Sequence, residues 1–283
     1  MIRETLSHAR ELKEVSSIRG MDGTMVENEF SAYTRDAFNS ARRLDRIQPL
    51  VIPARNEEED LPGTLLAAAR TGEALPIVLD NNSSDRTAEI ARHMGAITAK
   101  VEHGNKMAAT QEGLRIASQE LGARAVYLTD ADTLVPRLWI ASMNRELEKA
   151  DAGNGAAIFG NPFLWHGPSR FTDSVLNIAK LTRAVKQSIT NGDIIARGAN
   201  YAVQLDEEGR MLAALNNLDG SMFNGDDYHI KEALVNSGAA VRNTARLDTA
   251  VVSRNDRVTS LTSRLRKDYA KARDAEYSDH YQL

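Results

Sequence analysis

The stretch VYLTDADTLVP, residues 126–136, places two aspartates one residue apart after a short apolar run. Two carboxylates at this spacing can turn toward the same hard cation when the chain bends at the end of a strand. A site with so few protein ligands leaves room for waters or phosphate oxygens, which favours Mg²⁺ or Mn²⁺. Asp130 and Asp132 are therefore candidate metal ligands. The alternative is that each one caps a turn or the next helix, because so short a motif often recurs by chance.

The apolar run before Asp130 is one of several predicted strands, and helical patterns lie between them. The sequence predicts strands at 50–52, 75–80, 97–102 and 125–130. One helix follows Pro53 and carries acidic residues in its first turns, a second closes at Gly95, and a third stops at Gly122. Strands that alternate with helices predict a largely parallel sheet covered by helices, because parallel strands need crossover connections.

After Pro136 the alternation is less regular. The pattern there predicts strands at 156–163, 198–205 and 246–256, and helices at 171–189 and 226–238. Before the first strand, residues 1–47 are charged, with helical patterns near 4–15 and 30–46, and the C-terminal tail is a charged helix that frays. No internal repeat is present.

Three consecutive strand ends carry polar residues that a ligand could use. In open α/β sheets, ligands bind at the carboxyl ends of the strands. These ends carry Pro-Ala-Arg-Asn at 53–56, Asp-Asn-Asn-Ser at 80–83 and Asp-Ala-Asp at 130–132. We expect these groups to lie close together along one edge of the sheet.

The composition restricts the class of protein. The 283-residue chain has a net charge of -4, so no overall positive field favours nucleic acid as a partner. It contains no cysteine, which excludes disulfides, thiolate metal sites and cysteine nucleophiles. No apolar run approaches the roughly 18 residues of a transmembrane segment. We predict a cytoplasmic protein.

The ordered set of motifs resembles a family 2 glycosyltransferase of the GT-A fold. The segments that carry the resemblance are VIPARNEEEDLPGTLLAA, IVLDNNSSDRTAEIARHMGA, GNKMAATQEGL, VYLTDAD, RGANYAVQ and GDDYHIKEALVNSG. The resemblance covers residues 49–257 and implies a Rossmann-like α/β/α sandwich at 48–257. Its nucleotide-binding half would be about 48–135 and its acceptor half about 136–257. Residues 1–47 and 258–283 would be helical extensions.

The resemblance implies transfer of a sugar, with inversion, from a nucleotide diphosphate donor such as a UDP- or GDP-sugar to an unknown hydroxyl acceptor. Asp132 would hold a divalent Mn²⁺ or Mg²⁺, with Asp130 near the ribose and the metal. Asp227 would be the general base, and Asp226 replaces the glutamate that usually precedes it. The implied nucleotide-binding residues also include Pro53, Ala54, Arg55, Asn56, Asp80 and Asn81.

Further roles follow from the resemblance or from local charge. Lys106, at a predicted helix start, and Arg254 or Arg257 are the cations expected near the diphosphate. Gly198 and Ala199 match the turn that supports the donor sugar, and Trp165 and His166 lie in the half that binds acceptors. An ordinary structural or surface role is about as plausible for each of these residues.

One departure concerns the metal. The family often has a histidine ligand near Ser253, and this chain has none there, which leaves the full coordination open. His103 and His229 could replace it, but the better interpretation of both is an ordinary surface histidine.

Other functions compete with this one. DADTL fits the nucleophile motif of haloacid-dehalogenase-like phosphatases, with Asp130 phosphorylated and Asp132 as acid and base. That alternative leaves the preceding strands unexplained. A non-catalytic scaffold that binds a nucleotide sugar is another alternative, whereas a dinucleotide oxidoreductase lacks its G-x-G-x-x-G motif. Residues 1–47 could pack on the catalytic domain, which is the default, or mediate a homodimer or touch another partner.

Overall fold

A computed structural model of the chain describes residues 47–102, 105–150, 155–160, 163–165, 178, 182, 200–218, 226–244 and 246–253. The predicted helices of residues 1–46 and of the C-terminal tail lie outside these ranges. Of the predicted helix at 171–189, only Ile178 and Thr182 are described, and both are helical. Within the described part of the chain, no helix is long and apolar enough to cross a membrane.

The core of the fold is a seven-stranded sheet. Its strands are β1 (Gln48–Ala54), β2 (Ala74–Asp80), β3 (Ile97–Lys100), β4 (Ala125–Leu128), β6 (Ala156–Gly160), β8 (Tyr201–Gln204) and β9 (Ala240–Thr244). The spatial order is β3-β2-β1-β4-β8-β6-β9. The strands from β3 to β4 are parallel, β8 runs antiparallel to both its neighbours, and β9 is parallel to β6. The predicted mostly parallel α/β sheet is confirmed.

A second sheet of three short strands lies beside the first. It contains β5 (Thr133–Leu134), β7 (Phe163–Trp165) and β10 (Val251–Ser253), with β10 in the middle. Two predicted strands are corrected here. The strand predicted at 156–163 is divided between the two sheets: β6 ends at Gly160 in the main sheet, and Phe163 begins β7 in the second sheet. The strand predicted at 246–256 begins as a 3-10 helix, Leu247–Thr249, and only then becomes β10.

Six helices of the described ranges pack on or beside the main sheet. They are α1 (Leu61–Arg70), α2 (Thr87–His93), α3 (Lys106–Arg115, continued by a π-helical turn to Glu120), α4 (Trp139–Ala150), α5 (Arg210–Asn216) and α6 (Asp226–Asn236). The acidic residues predicted in the first turn of α1 precede it instead. Asp60 and Leu61 N–H both bond the carbonyl of Glu57, which closes a turn, and the proline favoured at a helix start follows at position 62.

Two apolar clusters cover the two faces of the sheet. Along β1, Leu50 and Ile52 belong to one cluster and Val51 to the other, as the alternation of side chains on a strand requires. Helices α1, α2 and α4 pack into the first cluster, and α3, α5 and α6 into the second. Helix α3 lies so close that a Cβ on Gly113 would come within 2.3 Å of Val51 Cγ1. The result is a three-layer α/β/α arrangement.

Candidate active site

The two aspartates that follow β4 lie in a tight bend between β4 and β5. Thr133 N–H donates to the carbonyl of Asp130 at 3.2 Å, which turns the chain back after the first aspartate. The hydroxyl of Thr64, a buried residue of α1, donates to the carbonyl of Ala131 at 2.6 Å. The bend is therefore fixed from two sides, and the sequence D-x-D places one carboxylate before it and one after it.

A lysine at the start of α3 pairs with the first aspartate. Lys106 Nζ lies 2.6 Å from Asp130 Oδ1, and both side chains are partly exposed. The helix begins here because the side chain of Asn105 accepts a hydrogen bond from Ala108 N–H at 2.6 Å, a typical N-cap. The predicted helix start is thus confirmed. It brings a positive charge to the edge of the sheet where the carboxylates lie.

The second aspartate lies in an unfavourable environment for a charge. Burial is the main cause that raises the pKa of Asp132 to about 6, and the neighbouring Asp130 raises it further. A hydrogen bond from Thr133 and the charge of Lys106 act in the opposite direction. The hydroxyl of Ser253 lies 3.5 Å from Asp132 Oδ2, because β10 pairs with β5 in a register that sets Ser253 opposite Thr133.

These groups fit a hard divalent ion. Two carboxylates that repel each other in a partly buried bend gain stability when a cation lies between them. Nevertheless, no group of three or more His, Asp or Glu side chains in the described ranges is arranged to hold a metal. An ion bound by Asp130 and Asp132 would therefore take most of its ligands from water and from the substrate.

The two polar residues at the end of β2, Asp80 and Asn81, make different hydrogen bonds. Asp80 Oδ1 accepts from Ser83 N–H at 3.1 Å and so closes the turn after the strand. Asn81 N–H donates to the carbonyl of Ala54 at 2.8 Å, which ties the ends of β1 and β2 together. The side-chain oxygen of Asn81 is buried and has no hydrogen-bond partner among the described residues. A buried acceptor without a partner is costly, so a ligand that donates a hydrogen bond would stabilise it.

Of the remaining residues at these ends, Pro53 and Ala54 complete β1, and Arg55 and Asn56 begin the exposed loop after it. The backbone of Asn56 has a φ of 54°, and Asn82 in the facing loop has a φ of 55°. Few residues other than glycine adopt such angles, and asparagine is among the most tolerant of them. Both loops are thus held in unusual, defined conformations.

Asn200 joins several elements directly after the turn predicted to support the donor sugar. It is fully buried, accepts from Trp139 Nε1 at 2.9 Å and donates to the carbonyl of Thr249 at 2.9 Å. The side chain passes over Gly160, where a Cβ would come within 2.3 Å of its amide oxygen. The start of β8 is therefore fixed to α4 and to the 3-10 helix.

For several predicted site residues, only the backbone is described, and others lie outside the described ranges. Asp226 and Asp227 are the first residues of α6, and Trp165 ends β7, but for all three only the backbone is described. His229 has its ring edge against Tyr228. The residues outside the described ranges are His103, His166, Gly198, Ala199, Arg254 and Arg257.

The sequence interpretation did not identify several residues that support the site through hydrogen bonds. Thr64 is a buried polar residue whose contact joins two distant segments, so no local pattern marks it. Asp85 and Thr87, in contrast, carry a recognisable signal. An aspartate and a threonine directly before an apolar helical pattern are typical of a helix start.

The chain is similar to known sugar transferases. The sequence model of Glycosyl transferase family 2 matches residues 50–209, more than half of the chain. A 4,4'-diaponeurosporenoate glycosyltransferase of Staphylococcus haemolyticus (strain JCSC1435) is 42% identical over 72 residues, which are 24% of this chain and only 19% of that protein.

Solved structures with a similar fold include two complexes with UDP-sugars. Glucosyl-3-phosphoglycerate synthase from Mycobacterium tuberculosis, in complex with Mn²⁺ and UDP-glucose, is 15% identical with a TM-score of 0.49, over 86% of this chain and 81% of that one. S. aureus TarS 1-349 in complex with UDP-GlcNAc is 13% identical with a TM-score of 0.48, over 77% and 61% of the two chains.

Proposed function

The chain belongs to glycosyl transferase family 2, and we propose that it transfers a sugar from a nucleotide diphosphate donor to a hydroxyl acceptor with inversion. The observation that carries this proposal is the fixed bend with Asp130 and Asp132, beside Lys106, at the carboxyl end of the parallel strands. Membership of this family excludes the phosphatase alternative. A family member that binds a sugar donor without transferring the sugar is the alternative, and the experiment below distinguishes it.

In this proposal, Asp132 holds a divalent Mn²⁺ or Mg²⁺ together with Asp130. When bound, such an ion stabilises the negative charge that develops on the departing diphosphate. Lys106 supports the same charge from the start of α3, since its ammonium already lies beside Asp130. Arg254, one residue after Ser253 in the chain, is proposed as a second cation for the phosphates.

Asp227 is proposed as the general base. The acceptor hydroxyl attacks the anomeric carbon as the bond from that carbon to the phosphate oxygen breaks, and Asp227 takes the hydroxyl proton. Such proton transfer contributes typically about 10² to 10⁴ in rate. Asp227 is the second residue of α6. Asp226 precedes it and would assist in orienting the acceptor.

The nucleoside is proposed to bind between the ends of β1 and β2. The unpartnered amide oxygen of Asn81 is the acceptor that a base or ribose donor would satisfy. Arg55 directly follows Ala54, the last residue of the neighbouring strand β1. Pro53 and Ala54 are proposed to form the base of the nucleoside site. Gly198 and Ala199 are proposed to lie against the donor sugar, and Trp165 and His166 against the acceptor.

Titration calorimetry of UDP and GDP, each with and without Mn²⁺, tests this proposal. At least one nucleotide should bind more tightly with metal, and Asp132→Asn should abolish the effect of the metal while leaving weak nucleotide binding. Equal weak binding of both nucleotides, indifferent to Mn²⁺, would contradict the proposed site. Metal-assisted binding without hydrolysis of any sugar donor would identify a non-catalytic member.

A further inference from the structure

Two loops at the nucleoside end of the sheet are joined by an unusual set of hydrogen bonds. We call residues 55–60, after β1, the first loop, and residues 81–87, which follow β2 and lead into α2, the second loop. Asn56 N–H donates to Ser83 Oγ at 3.0 Å. In return, Ser84 donates to Asn56 Oδ1 with its N–H at 2.8 Å and with its hydroxyl at 3.3 Å.

The next two amides of the first loop continue the same pattern. Glu57 N–H donates to Thr87 Oγ1 at 2.8 Å, and Glu58 N–H donates to Asp85 Oδ2 at 3.1 Å. Glu58 Oε2 in turn accepts from Arg86 N–H at 3.1 Å. Three successive backbone amides of the first loop are therefore satisfied by side chains of the second loop.

Asp85 is the centre of this arrangement. Its second oxygen accepts from Thr87 N–H at 3.0 Å and from Thr87 Oγ1 at 2.5 Å, so Asp85 orients the residue that holds Glu57. Burial opposes ionisation, but these hydrogen bonds and the one from Glu58 outweigh it and hold the pKa of Asp85 below its usual value. The carboxylate is charged at neutral pH and bonded on both oxygens.

We propose that Asn56 and Asp85 are positioning residues that lock the two loops into one unit and so hold Arg55 and Asn81 in place for the nucleotide. The inference rests on the proposed function. It changes the role expected for Asn56, because its amide oxygen already accepts two hydrogen bonds from Ser84 and is not available to a ligand. Asp85 would affect nucleotide binding only indirectly, through the positions of the two loops.

The backbone of the first loop explains why a lock is needed. Asn56 has a positive φ of 54°, a conformation that residues with a side chain rarely keep without support from their surroundings. Arg55 directly precedes it, and Ala54 is tied to Asn81 N–H. If the bonds to the second loop are lost, we expect Asn56 to relax and the direction of Arg55 to change.

Hydrogen exchange and nucleotide titration of the full chain test the inference together. In Asp85→Ala, the amides of residues 56–58 should exchange at least about tenfold faster, while those of β1 and β2 stay protected. The affinity for the nucleotide that the wild type binds, UDP or GDP, should fall about tenfold, and turnover at saturating donor should change less than about twofold.

Further variants separate positioning from general damage. Asn56→Gly keeps the positive φ but removes the amide, and combined with Asp85→Ala it should cost less than the product of the two single effects. Asp85→Asn, which keeps one carbonyl oxygen, should recover part of the affinity. If Asp85→Ala does not fold, Thr87→Val removes only the hydroxyl bonded to Glu57 at nearly constant volume.

Asp206→Ala is the matched control. Asp206 also bonds backbone amides at a helix start, those of Arg210 and Met211, but it lies at α5. Its loss should lower stability without changing nucleotide affinity. Unchanged exchange of residues 56–58 in Asp85→Ala would overturn the lock whether or not a nucleotide binds. Faster exchange with unchanged affinity would overturn the positioning role, whereas a wild type that binds neither nucleotide would refute the proposed function.

Discussion

Replacement of Asp132 by asparagine is expected to stabilise the metal-free protein at neutral pH. Burial and the neighbouring Asp130 raise the pKa of Asp132 from 3.8 to about 6. A carboxyl group whose pKa is higher in the folded state than in the unfolded state lowers the stability of the protein as the pH rises. The reason is that ionisation of the group is less favourable in the folded protein than in the unfolded chain. Asparagine has nearly the same shape and carries no charge, so it avoids this cost.

The size of the effect follows from the difference between the two pKa values. About two pKa units correspond to an upper limit of about 3 kcal/mol at pH 7.5, where both states are ionised. The cost develops between about pH 4 and pH 6, so the advantage of the variant should fall to about half at pH 5 and to a small fraction at pH 4. Below pH 4 the two proteins should be nearly equally stable.

Urea denaturation in the presence of a chelator, at pH 4, 5 and 7.5, measures this dependence. Asp206→Asn is the matched control, and its effect on stability should have the opposite sign. Burial opposes ionisation of Asp206, but hydrogen bonds from Met211 and Arg210 outweigh it and lower its pKa, so that variant should be less stable at pH 7.5. Equal stability of Asp132→Asn and the wild type at all three pH values would refute the reasoning. Mn²⁺ with nucleotide should reverse the order at pH 7.5, since the wild type gains stability from metal-assisted binding and the variant gains only from weak nucleotide binding.

Three other changes have defined outcomes. Asp227→Asn should abolish sugar transfer with nucleotide affinity nearly unchanged in calorimetry, and an active variant would remove Asp227 from its role. Lys106→Ala should weaken UDP or GDP binding about tenfold but leave nucleoside binding unaltered, whereas equal losses for both would place Lys106 away from the phosphates. Gly113→Ala should lower the free energy of unfolding by about 1 to 3 kcal/mol, because its Cβ would overlap Val51, and full stability would mean that α3 can shift away from the sheet.

The sequence predicts the sheet well where strands are continuously buried. The runs that become β1, β2 and β4 are apolar because both faces of a central parallel strand are covered, and such runs are visible without a structure. The convergence of polar residues after these strands follows from topology alone. Asp130, Asp132 and Lys106 could therefore be placed near one another before any coordinates were known.

Contacts between distant segments could not be predicted in the same way. The bond from Ser84 to Asn56 joins residues 28 positions apart, and nothing in either loop alone encodes it. The division between β6 and β7 depends on their partners, since β6 pairs with β8 and β9 and β7 pairs with β10, and a one-dimensional pattern does not contain these pairings. Asp80 was expected beside the nucleoside, yet its carboxylate also closes its own turn. Which polar groups remain free for a ligand is thus decided by tertiary structure.

The reversed direction of β8 has a consequence for how such enzymes diversify. Because β8 runs antiparallel to β4 and β6, Tyr201 at its beginning pairs with Leu128 and Phe159 near the ends of those strands. Residues 161–199 therefore connect the carboxyl end of β6 to the start of β8 at the edge that carries the aspartates, and they include β7. Between β7 and β8, residues 166–197 can vary in length and composition without shifting the register of any described strand. A chimaera that exchanges residues 166–197 with those of another family member keeps Gly198 and Ala199, and it should retain donor chemistry while acquiring a new acceptor preference.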